Sequence, residues 1–226
     1  MKLSMRLLKN KLAASMLLIA LSCLNAFSQL SDTGLWTTDV RPLCIASDGS
    51  YTYLGGAFSY IFPLSGTAAK TDYTGQYVSG QSKVQGEVLA SLSDGSDGFY
   101  IAGKINRVGN TKRNYMAHIL ADGSADNTWN PDADSIVYAL CSDGLGNIYA
   151  GGSFTTISGD TCPYLARIKA DGTLDTNFRP QVNNEVRTIA VDDTGNVYIG
   201  GLFTQAGGLI RGYIAKLKPD GTVDSS

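Results

Sequence analysis

The sequence predicts an all-β propeller of four blades, each of about 49 residues and four antiparallel strands. Three observations carry that reading. A tyrosine followed by small residues recurs as Tyr53-Leu54-Gly55-Gly56, Tyr100-Ile101-Ala102-Gly103, Tyr149-Ala150-Gly151-Gly152 and Tyr198-Ile199-Gly200-Gly201, at steps of 47, 49 and 49 residues. A bulky apolar residue follows each time, at Phe58, Ile105, Phe154 and Phe203. Asp122-Gly123, Asp171-Gly172 and Asp220-Gly221 keep the same step of 49, with Thr74-Gly75 in the corresponding place of a more diverged first copy. Self-similarity at this period is the mark of solenoids and propellers.

The third copy shows the elements most plainly. Ile136 to Cys141 is an apolar run of strand length, too short for a typical helix. Asp143-Gly144-Leu145-Gly146-Asn147 has the composition of a turn. Ile148 to Phe154 reads as the second strand. Its glycines would weaken a strand unless another backbone or sheet must come close, so they imply tight face-to-face packing. Ser158 to Pro163 reads as a loop. Leu165 to Lys169 alternates apolar and polar, as a half-buried third strand should. Asp171-Gly172 closes a hairpin, and Thr173 to Phe178 begins an outer fourth strand. Four short strands per unit make a propeller blade. A β-solenoid is the competing architecture, but its coils are shorter and lack Asp-Gly hairpins.

The run Val186 to Thr204, with its continuations Tyr213 to Leu217 and Asp220 to Asp224, resembles the delta-60 repeat of bacterial secreted β-propeller proteins. The resemblance covers Val40 to Ser226, closest in copies three and four and weakest between Ile61 and Gly80. It implies an exported, non-catalytic repeat module, often part of a longer surface protein. It brings no catalytic residues to this chain.

The first 28 residues read as an export signal. Lys2, Arg6, Lys9 and Lys11 precede the apolar run Leu12 to Leu21, and Ala26-Phe27-Ser28 offers a cleavage site before Gln29. The run is too short to span a bilayer comfortably. Lipidation at Cys23 is the alternative, but Ala20 stands where a leucine is usual. The propeller domain then occupies 29–226, with blades at about 40–86, 87–135, 136–184 and 185–226. Four of the 18 basic residues and none of the 20 acidic ones lie in the leader, which leaves 14 against 20, a net charge of −6. Such a surface disfavours nucleic acid and anionic lipid. Cys44, Cys141 and Cys162 remain, an odd number without a Cys-x-x-Cys motif. Cys44 and Cys141 align with Ala190 and read as small buried apolar side chains.

The last copy stops at Ser226, one residue before an aromatic corresponding to Trp129 and Phe178 is due. Gly34-Leu35-Trp36-Thr37-Thr38 offers an aromatic that could complete the last blade and close the ring. The sequence leaves two arrangements open, a four-bladed ring and an open fragment of a larger propeller.

Candidate chemistry is sparse. His118, the only histidine, aligns with Arg167 and Lys216 and reads as a solvated surface residue. The Asp-rich turns lack the carboxylate density of a calcium loop and read as Asx turns. Asp39, Glu87 and Glu185 align just before the first strands, where Ile136 stands in copy three. Converging at the mouth of a central channel, they would bind Ca²⁺ or Mg²⁺ weakly. Longer loops on the same face carry Asn106, Arg107, Lys112, Arg113, Asp132, Asp134, Asp160 and Arg211, a mixed-charge set suited to a ligand.

The leading expectation is a non-enzymatic binding or scaffold module at the cell surface or outside, a monomer or part of a longer polypeptide, with an unidentified protein or glycan ligand. Two alternatives stand beside it. One is a propeller lyase or glycoside hydrolase, which needs paired carboxyls about 5–10 Å apart. The other is a truncated gene fragment without independent function.

Overall fold

A computed structural model describes residues 42–57, 68–72 and 78–225, and every regular element among them is a β-strand. The export signal, Cys23, the 34–38 segment, Asp39, Phe58 and the Thr74-Gly75 turn lie outside the described residues.

Each repeat folds around an antiparallel sheet, accompanied by a short two-stranded hairpin in blades two to four. The first blade holds β1 (Pro42–Ser47), β2 (Tyr51–Gly56) and β3 (Ala68–Asp72). In the second, β4 (Val84–Ser93) pairs with β5 (Phe99–Val108), which pairs with both β6 (Thr111–Lys112) and β7 (Met116–Ile119). The third contains β8 (Val137–Ser142), β9 (Ile148–Gly152), β10 (Thr156–Ile157), β11 (Asp160–Thr161) and β12 (Leu165–Ile168). The fourth repeats it with β13 (Val186–Val191), β14 (Val197–Gly201), β15 (Gln205–Ala206), β16 (Leu209–Ile210) and β17 (Ile214–Leu217).

Two details differ from the sequence reading. The stretch from Ser158 to Pro163 is not a plain loop, because β10 and β11 pair across Ser158 and Gly159. Both turn residues have positive φ, 52° and 84°, as a tight two-residue hairpin requires. The outer fourth strand is a short antiparallel ladder. Lys169 N donates to Thr173 O and Asp175 N to Arg167 O, and the same bonds recur in blades two and four. One bridge per blade marks it: Ile119 with Ala125, Ile168 with Leu174, Leu217 with Val223.

The strand register also corrects the alignment of the first copy. Pro42 stands opposite Gly56 as Val88, Val137 and Val186 stand opposite Gly103, Gly152 and Gly201. Ala46, not Cys44, therefore matches Cys141 and Ala190. By the same count Arg41, not Asp39, matches Glu87 and Glu185. The first copy is shorter: its tyrosine lies 47 rather than 49 residues before the next, and Asp48 to Tyr53 is five steps, whereas Asp94 to Tyr100, Asp143 to Tyr149 and Asp192 to Tyr198 are six. In every blade the first strand is bulged one residue on, at Leu43, Leu89, Tyr138 and Arg187. A bulge at a constant place adds the same extra twist to each sheet.

The core lies in the seams between blades. Tyr53 and Ala68 join Val88, Phe99 and Ile101 in the first seam. Trp129, at the end of blade two, is buried with Val137, Phe154 and Ile157 of blade three. Phe178 repeats that role against Val186, Val197 and Phe203 of blade four. The two glycines of the tyrosine motif serve different approaches. A Cβ on Gly151 would lie 2.7 Å from Val186 Cγ1 in the next blade. One on Gly152 would strike Ile136 O in its own blade, with Val137 Cα at 3.0 Å. Tyr115, Tyr164 and Tyr213 enter the third strand with φ of 63°, 68° and 69°, a strained region for a bulky residue. Each is held there by two backbone bonds: Tyr164 N donates to Phe154 O at 2.9 Å, and Tyr164 O accepts from Gly152 N at 3.0 Å.

Because backbone meets the added methyl at Gly152, Gly152→Ala is expected to cost about 1–3 kcal/mol. Gly212, with open space around it, should tolerate alanine. Thermal or urea unfolding of the two variants beside wild type measures the difference.

Candidate functional site

The charged residues expected to form a ligand surface are largely engaged with backbone and side-chain groups, mostly of their own repeat. Arg113 is buried, its Nη1 donating to Lys112 O at 2.7 Å and its Nη2 to Asp126 O at 2.8 Å and Asn127 Oδ1 at 3.2 Å. Burial lowers its pKa below the ordinary arginine value, against the opposing pull of Asp126. Arg211 repeats the clamp on Ile210 O and Asp224 O. In the third blade Cys162 takes that place, its thiol pushed up to about 11 chiefly by burial. Arg179 there reaches back to Thr161 O. Asp134 receives Thr155 N at 2.7 Å and Thr155 Oγ1 at 2.6 Å, and Asn183 receives Thr204 N at the same place one blade on. These side chains staple the entry of a blade to its second strand. Asp132 accepts from Asn114 Nδ2 at 2.6 Å. Arg107 Nη1 donates to Asn110 O, while Asn106 O receives Arg113 N. Lys112 and Asp160 stay exposed on the short hairpins.

The proposed carboxylate ring is altered in the same way. Glu87 lies inside β4, not before it, directly opposite Lys104, and their charges meet at 3.1 Å. Glu185 accepts from Arg187 at 2.9 Å. Asp39 lies outside the described residues, among which no group of three or more His, Cys, Asp or Glu could hold a metal ion. The Asp-rich turns are Asx turns: Asp143 Oδ1 receives Leu145 N at 2.8 Å, and Asp192 Oδ1 receives Thr194 N at 3.0 Å.

His118 is the main correction. It is only 9% exposed, stacked on Tyr100 with ring centroids 4.3 Å apart, and Trp129 presents its edge at 6.3 Å. Nδ1 lies 2.9 Å from Asp126 Oδ2 and Nε2 lies 2.9 Å from Asp94 Oδ2. Each ring nitrogen therefore lies within hydrogen-bond distance of a carboxylate oxygen.

This contact is one member of a ladder repeated across the blades. Tyr53, Tyr100, Tyr149 and Tyr198 stand opposite Lys70, His118, Arg167 and Lys216. Each base lies over its tyrosine: Arg167 is 5.9 Å and Lys216 5.9 Å from the ring centroid. The outer ladder returns an aspartate to the same base eight residues later. Arg167 Nε donates to Asp175 Oδ2 at 2.8 Å, and Lys216 Nζ lies 2.9 Å from Asp224 Oδ2. Arg167 Nη1 also donates to Pro219 O of blade four at 2.7 Å, and Lys70 to Asp97 O of blade two. Sequence reading missed this ladder, although a base and an aspartate eight residues apart recur at the 49-residue step.

One recess open to a ligand is a groove of about 380 Å³ on the third seam. Thr161, Pro163, Phe178, Arg179, Pro180 and Gln181 line it, and its walls are mostly apolar. A second recess of about 400 Å³ lies between the Asp143 and Asp192 turns, beside Arg167 and Asp175. Its carboxylates at Asp143, Asp175 and Asp192 already accept hydrogen bonds from turn amides.

A family model described as "Domain of unknown function (DUF5122) beta-propeller" matches residues 146–178 and 194–226. The chain is a β-propeller repeat protein. Both matched segments begin in the turn before a second strand; the first ends at Phe178 and the second at Ser226. No curated protein matches the chain. Among solved structures, the computationally designed Ika4 protein is similar at a TM-score of 0.56 and 16% identity, over 82% of this chain and 95% of that one. YCF48 bound to D1 peptide has a TM-score of 0.47 at 12% identity, over 86% of this chain and 56% of that one. The extracellular domain of the putative one component system BT4673 from B. thetaiotaomicron also has a TM-score of 0.47, at 16% identity. There the match covers 85% of this chain and 25% of that one. Identities this low show the fold alone.

Two outcomes follow for the ladder. His118→Ala leaves two partly buried carboxylates facing each other and should cost about 3 kcal/mol in urea unfolding. Burial acts to raise the pKa of Asp126, but bonds from Thr128 and His118 outweigh it and hold the carboxyl at about 2. Its folded pKa is thus below the ordinary 3.8, so its contribution is full above pH 4 and is lost as pH falls toward 2. Asp126→Asn should therefore lower the melting temperature at pH 6 and flatten its fall between pH 4 and 2.

Proposed function

We propose that this is an exported, non-enzymatic propeller module that binds a protein or glycan ligand outside the cell or at its surface. The groove on the third seam carries the reading. It is open and largely apolar, and Arg179 at its edge, held by Thr176 O and Thr161 O, offers the remaining N–H groups of its guanidinium to a peptide carbonyl or a sugar hydroxyl. The leader of basic residues followed by an apolar run supports export. The pairing of Glu87 with Lys104 and of Glu185 with Arg187 speaks against the lyase or hydrolase alternative, since each carboxylate is neutralised on its own blade.

Peptide and glycan arrays probed with wild type, Arg179→Ser, Pro163→Asp and Leu145→Ser test this. Wild type and the Leu145 variant, changed at an exposed turn tip, should bind the same ligands. The two groove variants should bind at least about tenfold more weakly, a change of 1.4 kcal/mol. Undiminished binding by both groove variants, or release of sugar products from the glycans, would overturn the reading.

A further inference from the structure

The seam between blades is built the same way three times, and both of its halves stand unpartnered at the two ends of the described chain. On the leading half, the small residue two places after the motif tyrosine receives the next blade. A Cβ on Gly55 would collide with the Val88 side chain; one on Gly151 would lie 2.7 Å from Val186 Cγ1 and 3.0 Å from Ile189 Cδ1. At Gly200 the same construction meets, among the described residues, only Thr188 and Tyr213 O, both of its own blade. The first residue of the third strand agrees. Met116 and Leu165 are 0% and 1% exposed within their seams, whereas Ile214 is 72% exposed. Tyr213 stands out in the same way, where Tyr115 and Tyr164 pack onto the following core.

The trailing half is open at the other end. Leu140 and Ile189 pack into the seams that join their blades to the preceding ones. By strand register Ile45 holds their position, opposite Leu54 as they are opposite Ala150 and Ile199, and it is 53% exposed. Leu43 beside it is exposed as well. The two open faces are therefore complementary to each other rather than to themselves.

We propose that a second copy of this chain covers both faces. Ile45 of each copy seats against Gly200 and Ile214 of the other, and two identical head-to-tail seams close one ring. Complementary ends on one chain associate heterologously, and the assembly ends only where the rotation closes. Two copies make eight blades, at the upper end of the usual four to eight, and three would exceed it.

Light scattering or sedimentation of the protein purified in its exported form tests the assembly. The expected mass is twice that of one chain. Ile45→Asp and Ile214→Asp should each run as single chains with an unchanged β-sheet circular dichroism spectrum. An equimolar mixture of the two should return to the two-copy mass, because the mixed pair keeps one unaltered seam. A single-chain mass for wild type would assign the open face to residues 34–38 or to a following blade and overturn the proposal. Failure of the mixture to associate would overturn the head-to-tail geometry, and open-ended polymers would overturn closure by two. Should an aspartate variant lack the wild-type spectrum, Ile45→Ser and Ile214→Ser replace the pair, and the wild-type mass still decides between one copy and two.

Discussion

The approach of one blade's second strand to the next blade's first strand sets the rest of this structure. Tight packing there requires a residue with little or no side chain at 55, 102, 151 and 200, set against a branched residue at 88, 137 and 186. Small residues weaken an isolated strand, so their recurrence makes sense only where close contact between sheets returns more than the strand loses. The apolar core is consequently not at the centre of any one blade. It is divided among three clusters, each drawing residues from two neighbours. Trp129 and Phe178, near the ends of their blades, are the bulk that fills what the small residues leave.

The polar ladder solves the complementary problem. Bringing sheets together buries the third-strand base, which then needs partners for its protons. A tyrosine face beneath and an aspartate from the outer ladder supply them in blades two to four. Because the aspartate arrives through the Asp-Gly hairpin, the hairpin and the ion pair depend on each other. This explains why the outer segment keeps its place with only a few backbone bonds. The same logic absorbs Arg113, Arg211, Asp134 and Asn183, whose partners are backbone groups at the blade edges.

Period and strand order were legible because they rest on local chemistry: alternation, turn composition and the tyrosine motif. Register in the first copy was not, since its first turn is one residue shorter and a constant spacing carries the alignment past the strands. His118 was misread for a related reason. Its phase along the third strand is polar, which is what solvation predicts. Its partners Asp94 and Asp126 lie 24 and 8 residues away and meet only when three strands and a hairpin are assembled. The mixed-charge residues read as loops include Asn106 and Arg107, which lie in β5, and Lys112, which lies in β6. What their composition could not show is that backbone carbonyls and amides would claim them first.

Each seam uses only residues of two adjacent units, and none of its contacts refers to how many units precede or follow. A recombination event that inserts or deletes one whole repeat in the gene would therefore leave every surviving contact intact. Blade number in such a protein is free to drift by whole units during inheritance.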